Sequence, residues 1–212
     1  MKILSADLSR LCYNAIQFSA KDSSLGGVVA LGGSADLSTL TVWACDDYVA
    51  LADHAPAEVS EDFSWFLALK EVKDLEKTLR DYDGEIFLSE TAGHLDLDEH
   101  DWPLAEDPPD FQPVVNILSF APNPVADPST PFAIRAARFT KFRLLRTPQS
   151  PSTKDEYPVD FLWDGDLLRW KCGPTLRGVV APLHRQSFES VSGEEVTGIE
   201  DLFSEEREEV LW

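Results

Sequence analysis

The distribution of charge along the chain is the feature that most constrains its fold and surface. The 212 residues carry a formal net charge of −20, yet the interval between Asp127 and Asp155 contains no carboxylate. That interval instead contains Arg135, Arg138, Lys141, Arg143, Arg146 and Lys154. A uniformly acidic protein repels nucleic acid, whereas an acidic protein with one basic surface can direct a polyanion to that surface. The sequence therefore predicts one basic surface on an otherwise acidic molecule.

Three segments are predicted to form helices that carry this basic surface. Residues 7–21 and 67–82 have apolar side chains at the three- and four-residue spacing of an amphipathic helix, and residues 134–146 contain the Arg-rich run. Their polar and basic residues are predicted on one side of each helix. These candidate DNA-binding residues are Arg10, Asn14, Gln17, Lys21, Lys70, Lys73, Lys77, Arg80, Arg135, Arg138, Lys141, Arg143 and Arg146. The alternative is that they form ordinary solvated helix faces, because long basic side chains cover apolar surface well.

Composition limits the class of protein. An apolar fraction of 43% supports a real core, no apolar run reaches the length of a membrane span, and residues 1–6 are too short and polar for a secretion signal. We therefore expect a cytoplasmic protein without membrane partners. The cysteines Cys12, Cys45 and Cys172 are far apart in apolar surroundings, so we predict buried small residues rather than disulfides or a thiolate metal site.

The order of predicted elements indicates an α+β fold in two parts and a tail. Up to about residue 100 we predict strand, helix, several antiparallel strands, helix and strands, with a turn at Gly32-Gly33-Ser34. An acidic, proline-rich connector follows over residues 96–110. The second part is predicted to contain a helix at 111–120, a loop at 122–131, the Arg-rich helix, and strands at 159–163, 167–172 and 177–181. The predicted domains are 1–105 and a shortened 106–185, followed by an acidic, mobile tail at 186–212.

Four short segments, together with this order of elements, resemble the bacterial beta sliding clamps of DNA polymerases. Residues 44–50, Ala-Cys-Asp-Asp-Tyr-Val-Ala, resemble the family's Ala-Thr-Asp-Gly turn motif, with Cys45 for Thr and Asp47 for Gly. Residues 66–70, followed by Leu75 and Leu79, are similar to the stretch that opens the second helix of a clamp domain. Residues 109–111 resemble the "yPdf" segment before a following helix, and residues 178–185 resemble the closing "VVMPMRL" motif.

The resemblance implies a DNA-clamp fold, in which each domain turns two basic helices toward a central hole and its sheets toward solvent. It implies a non-enzymatic processivity factor in DNA replication, which encircles duplex DNA without reading its sequence and tethers the replicative polymerase, with a clamp loader as a further partner. Rings in this family close from six such domains, so a chain with two domains implies a homotrimer. The alternative is a clamp-like adaptor that binds a polymerase or another clamp through its tail without encircling DNA.

The resemblance also implies a polymerase-binding groove. Matched position by position, the candidates for it are Val49, Val179, Ala181, Pro182 and Leu183. For Val179 and Ala181, plain strand core is an equal alternative. In the tail, residues 199–203 resemble the short "QLxLF" peptides that dock into such grooves, with Leu202 and Phe203 as the anchors. The favoured alternative is that the same five residues form one turn of an acidic amphipathic helix.

Other chemistry finds little support in the sequence. The carboxylates between Asp96 and Asp101 lack the glycine and the terminal glutamate of a calcium loop, and the four histidines have no ligand spacing. No phosphate-binding glycine loop or nucleophile elbow occurs. We therefore predict no cofactor, no metal and no catalytic residue. A nuclease whose scattered carboxylates converge on magnesium stays an alternative.

Overall fold

Helices and antiparallel strands follow one another in an α+β arrangement. The computed structural model describes residues 1–21, 23, 25, 27–119, 136–149, 157–163 and 167–181. The α-helices are α1 (Ser5–Phe18), α2 (Leu69–Thr78), α3 (Gln112–Ser119) and α4 (Ala136–Phe139), and 3₁₀ helices follow α2 at Leu79–Asp81 and α4 at Thr140–Leu144. The strands are β1 (Lys2–Leu4), β2 (Val28–Ser34), β3 (Thr39–Cys45), β4 (Val49–Glu58), β5 (Phe63–Ala68), β6 (Glu85–Phe87), β7 (Ser89–Thr91), β8 (His94–Leu97), β9 (His100–Pro103), β10 (Val159–Trp163), β11 (Leu168–Cys172) and β12 (Leu176–Val180).

Within the described residues, nine strands form one antiparallel sheet that joins the two parts of the chain. Its main path runs β10-β11-β12-β4-β3-β2-β5, while β1 pairs with the end of β4 and with β6. The join is the pairing of β12 with β4, in which Val179 lies opposite Ala50 and Val180 opposite Val49. Gly178 is needed at this join because a Cβ there would lie 2.2 Å from the carbonyl oxygen of Ala50 and 2.3 Å from the Trp170 ring.

Helices cover both faces of this sheet. Because side chains alternate along a strand, the set Val49, Leu51, Val42 and Val180 points into the main core beneath α1 and α2. Their neighbours Ala50, Ala52 and Val179 point to the other face, where Leu118 of α3 packs against them. The helices α1 and α2 lie side by side on the first face. The sheet therefore has an α1 face and an α3 face, and these two names are used below.

A second, three-stranded sheet, β7-β8-β9, packs beside α2. Its residues Leu95, Leu97 and Trp102 are buried in the main core, and the indole of Trp102 donates a 3.0 Å hydrogen bond to Asp74 on α2. The prediction of a connector over residues 96–110 is therefore partly wrong, since the first half of this range forms the end of β8 and all of β9. The acidic residues there lie on the outside of strands whose apolar residues face inward.

The predicted turn at Gly32-Gly33-Ser34 is also wrong. These residues lie inside β2, and the chain turns later, between Ser34 and Thr39. The reason is steric: a Cβ on Gly32 would lie 2.6 Å from the Trp43 ring, and one on Gly33 would lie 2.1 Å from the Phe63 ring. The two glycines leave room for aromatic side chains on neighbouring strands.

The predicted helix over 134–146 is much shorter than expected. Within the described residues it consists of α4 and the 3₁₀ helix Thr140–Leu144 that continues it. The predicted helix at 111–120 is confirmed as α3, and the predicted strands at 159–163, 167–172 and 177–181 are confirmed as β10, β11 and β12 to within one residue at either end. The predicted loop at 122–131 and the tail at 186–212 lie outside the described residues.

Candidate nucleic-acid interface

The first predicted basic face, on α1, is largely buried. Arg10 is only 4% exposed, and its guanidinium donates a 2.5 Å hydrogen bond to the carboxylate of Asp53 on β4 and a 3.1 Å bond to the carbonyl of His54. Asp53 is fully buried on the α1 face of the sheet. The prediction that Arg10 lies on an exposed surface is wrong, because its charge is needed to neutralise Asp53 inside the core.

Asn14 is buried beside this ion pair, so the prediction that it lies on the exposed basic surface is also wrong. Its side-chain amide donates a 2.8 Å hydrogen bond to Asp53, and it also binds the backbone of Arg146. Gln17 is half-buried and its side chain donates to the carbonyl of Tyr13 at 3.4 Å. Of the four α1 candidates, Lys21 alone is exposed.

The second predicted basic face, on α2, is exposed as expected. Lys70, Lys73 and Lys77 all point to solvent. Lys70 pairs with Glu71 at 2.9 Å, whereas Lys73 and Lys77 form no ion pair within the described part of the chain. Asp74 lies on the same exposed side of α2, and its carboxylate accepts the Trp102 hydrogen bond described above.

Arg80 continues this face beyond the end of α2. Its guanidinium is paired at 2.6 Å with Glu76, which is buried. Hydrogen bonding to Glu76 and then the charge of that carboxylate raise the pKa of Arg80, and Tyr13 on α1 adds a smaller electrostatic contribution. The 3₁₀ helix that contains Arg80 packs against α1.

The Arg-rich segment sends half of its described cations inward. Arg138 is 6% exposed, donates a 2.8 Å hydrogen bond to the carbonyl of Ala181, and lies 4.0 Å from the centre of the Tyr48 ring. Lys141 forms an ion pair with Asp46, in the turn between β3 and β4. These two residues fasten the segment to the first part of the chain, so their predicted exposure is wrong.

Two cations of the same segment remain on the surface beside α1. Arg143 is exposed, and Arg146 is half-buried with its guanidinium 3.4 Å from the centre of the Tyr13 ring. Arg135 lies outside the described residues. Lys70, Lys73, Lys77, Arg80, Arg143 and Arg146 are exposed or half-exposed and lie on or beside α1 and α2; with the exposed Lys21, which follows α1, we call this set the cationic helix surface.

The residues predicted for a polymerase-binding groove do not share one face of the sheet. Val49 is fully buried in the main core on the α1 face, whereas Val179 is buried beneath α3 on the other face. The two side chains point apart because Val49 pairs with Val180 rather than with Val179. The prediction that Val49 and Val179 line one groove is wrong. Ala181 is half-buried at the end of β12, and Pro182, Leu183, Leu202 and Phe203 lie outside the described residues.

The three cysteines are free thiols with little reactivity expected. Cys12 and Cys172 are buried as predicted, while Cys45 is partly exposed. Burial raises the pKa of Cys12 to about 12 and that of Cys172 to about 11, and burial also raises the pKa of Cys45. In the described residues no group of three or more His, Cys, Asp or Glu side chains is arranged to hold a metal ion. None of the helices in that part of the chain combines the length and apolarity needed to cross a bilayer.

Native alkylation should therefore spare the two buried cysteines. At pH 8 we expect iodoacetamide to modify Cys12 and Cys172 only after unfolding, because the reactive thiolate is scarce and inaccessible in the folded state. The ordinary pKa of a cysteine thiol is 9.0, and the pKa values of Cys12 and Cys172 in the folded protein are higher. The two protonated thiols therefore stabilise the fold fully below pH 9, and this stabilisation is lost as the pH rises through about 11 to 12. Mass spectrometry of peptides labelled with and without guanidinium checks this, and stoichiometric native labelling of Cys12 would contradict it.

The arrangement of α1 and α2 on one face of a continuous antiparallel sheet is the fold of the DNA polymerase sliding clamps. The structure is similar to the DNA polymerase III β subunits of Pseudomonas aeruginosa (12% identity, TM-score 0.62) and Borrelia burgdorferi (12%, 0.63). It is also similar to the β subunit of Thermotoga maritima (12%, 0.60). In each comparison 87% of this chain is covered, and the chain spans 64% to 66% of the length of those proteins. No protein-family model and no curated protein matches the sequence.

Proposed function

We propose that this protein is a DNA sliding clamp, a processivity factor that holds a replicative DNA polymerase on duplex DNA. The observation that carries the proposal is the cationic helix surface, because it gathers cations on one face of a clamp fold within a chain of net charge −20. Neutralising backbone phosphates with lysine and arginine gives salt-dependent affinity for any duplex sequence. Such contacts can be exchanged as the protein moves along DNA. No catalytic group is needed for this role.

The same surface is suited to phosphates rather than to base edges. Specific readout of bases relies on asparagine, glutamine or arginine side chains held toward the groove. On α1, Asn14 is buried and the amide of Gln17 is bonded to its own helix. The exposed cations of α2 are lysines, which act as point charges. Binding should therefore be independent of sequence.

We propose that each chain contains two clamp-type units, 1–105 and 106–185, and that three chains close a ring in the cytoplasm. Support comes from β10, which ends the main path of the sheet and leaves Phe161 and Leu162 each 43% exposed. An edge strand with apolar side chains is a ready template for pairing with another chain. Heterologous pairing of this kind closes a ring when the rotation between subunits fits.

The polymerase contact is proposed at the end of β12, where Ala181 is half-buried, and along the residues that follow it. Ala181 is held there by two hydrogen bonds, from its own amide to the carbonyl of Tyr48 at 2.7 Å and from Arg138 to its carbonyl. The tail 186–212, with Leu202 and Phe203, is proposed to compete for this contact or to recruit another clamp. A clamp loader would act on the ring itself.

A second candidate is a non-encircling adaptor with the same fold. It is favoured by the unequal size of the two parts. Within the described residues, the second part contributes only three strands, β10 to β12, to the nine-stranded sheet. Such a chain would bind a polymerase or a clamp as a monomer.

Sedimentation separates the two candidates. We expect analytical ultracentrifugation to give the mass of three copies of the 23.6 kDa chain over a range of concentrations. A ring loaded on nicked circular plasmid should then be released when a restriction enzyme linearises the plasmid, because the link is topological. A monomer at every concentration, or retention that does not depend on circularity, would reject the ring and favour the adaptor.

A further inference from the structure

Arg146 is held on the α1 face in an unusually fixed position for a surface arginine. It follows Leu145, which is buried, and precedes Thr147, which is fully buried. Its guanidinium carbon lies 3.4 Å from the centre of the Tyr13 ring. Its Nε lies buried without a hydrogen-bond partner among the described residues. The side chain is therefore stacked along the surface of α1 instead of extending freely into solvent.

The backbone of Arg146 is fixed by the side chain of Asn14. The Asn14 amide nitrogen donates to the carbonyl of Arg146 at 2.7 Å, and the Arg146 backbone amide donates to the Asn14 side-chain oxygen at 2.9 Å. This reciprocal pair satisfies both main-chain groups of Arg146, as a neighbouring strand would. The amide plane of Asn14 is fixed in turn by its 2.8 Å hydrogen bond to Asp53.

Adjacent residues of α1 thus hold the two ends of Arg146: Asn14 its backbone and Tyr13 its guanidinium. The 3₁₀ helix that carries Arg80 and the lysine-bearing helix α2 both contact α1, so Arg146 and the cations of α2 lie beside the same helix. An arginine that is already ordered loses less conformational freedom when it binds a phosphate, and its planar fork suits that anion.

We propose that Arg146 is a phosphate contact of the cationic helix surface and that Asn14 is the positioning residue that fixes it there. This proposal deepens the proposed function and rests on it. The buried ion pair of Arg10 and Asp53 has a role in it, because Asp53 orients the Asn14 amide. Asn14 never touches DNA and acts only through Arg146.

The test measures how the affinity for a labelled duplex depends on salt, by fluorescence anisotropy at several sodium chloride concentrations. Arg146→Ala should lower the slope of log affinity against log salt by about 0.9, the value for one lost phosphate contact. The variant should fold, because the hydrogen bonds from Asn14 go to the backbone, which alanine keeps. Arg177→Ala is the matched control, since it removes the same charge from an exposed site on the α3 face.

Asn14→Ala should lower the same slope without removing any charge, a result that a merely structural role would not produce in a folded protein. The double variant Asn14→Ala/Arg146→Ala should match Arg146→Ala alone, because both changes remove one contact. Folding is checked by near-ultraviolet circular dichroism. If Asn14→Ala does not fold, Tyr13→Leu takes its place, because it removes the ring beneath the guanidinium and leaves the buried hydrogen bonds intact.

The proposal is overturned if Arg146→Ala has the same salt slope as Arg177→Ala. It is also overturned if Asn14→Ala folds and keeps the wild-type salt slope. If Asn14→Ala does not fold, a wild-type salt slope for Tyr13→Leu overturns it instead. Lys73→Glu/Lys77→Glu serves as the reference for the surface as a whole. If that reference lowers the salt slope while Arg146→Ala keeps the slope of its control, the positioning proposal fails and the proposed function stands. If the wild-type protein binds no DNA at low salt, both fail.

Discussion

Replacing Arg10 by alanine is expected to destabilise the protein by about 3–5 kcal/mol, the usual cost of leaving one partner of a buried ion pair uncompensated. The carboxylate of Asp53 is fully buried, and its Oδ2 accepts hydrogen bonds from Arg10 and Asn14 while its Oδ1 has no partner among the described residues. Without Arg10 a single neutral amide is left to stabilise the charge. Urea unfolding followed by tryptophan fluorescence gives the change in the free energy of unfolding.

A double variant shows whether the loss of stability in Arg10→Ala comes from the uncompensated charge of Asp53. Arg10→Met/Asp53→Val should be more stable than Arg10→Ala, because well-packed apolar residues replace a buried ion pair at little cost. Lys2→Ala is a useful comparison, since it breaks ion pairs with Glu58 and Glu85 in which every side chain is at least 39% exposed, and it should cost far less. A loss below about 1 kcal/mol for Arg10→Ala would mean that the Asp53 carboxylate is not left uncompensated in the core.

Helical periodicity located α1 correctly, but it could not assign the contacts of every side of the helix. An arginine and an asparagine opposite the apolar stripe indicate a solvated face unless a buried acceptor is known. The acceptor is Asp53, which lies in the inward register of β4 with Leu51 and Ala55. A carboxylate at an inward position of a strand requires a partner. The alternation of inward and outward residues in β4 is therefore the signal that could have predicted a buried Arg10.

The Arg-rich segment illustrates a limit of a different kind. Its freedom from carboxylates was visible in the sequence, but the direction of each cation depends on residues almost a hundred positions away. Lys141 pairs with Asp46, and Arg138 covers Tyr48 in the adjoining β3–β4 turn. No local pattern predicts such contacts, because the two partners come from distant parts of the sequence. By contrast, the exposure of the α2 lysines was predicted correctly, since it depends only on the apolar stripe of their own helix.

The connector between the two parts was predicted as a loop because of its acidic composition, although part of it forms strands. Residues 96–110 are dense in acids, which favoured a loop, yet Leu97 and Trp102 are buried on β8 and β9. Short strands on the outside of a protein alternate acidic and apolar residues, and a run of four residues is too brief for that alternation to outweigh composition.

Reversing the charge of both central α2 lysines, as Lys73→Glu/Lys77→Glu, should lower the affinity for duplex DNA by at least about tenfold at low salt and reduce the salt slope by about 1.8, the equivalent of two phosphate contacts. Both side chains are exposed, and neither forms an ion pair in the described part of the chain, so their charge is available to a ligand. The folded structure should not change, because surface substitutions of this kind have small effects on stability. Fluorescence anisotropy with a labelled duplex, repeated for two unrelated sequences, measures affinity and its independence of sequence.

The control must add the same negative charge elsewhere, because a protein of net charge −20 already repels DNA at long range. Lys171→Glu/Arg177→Glu meets this need, since both residues are exposed, lie opposite each other on β11 and β12, and point to the α3 face. At a salt concentration near 0.1 M, where charges more than about 10 Å apart are largely screened, this control should bind almost as well as the wild type. Equal losses in the two double variants would mean that net charge alone governs binding and that α2 is not the DNA surface. A loss confined to Lys73→Glu/Lys77→Glu would locate the duplex on the side of the sheet where α1 and α2 lie.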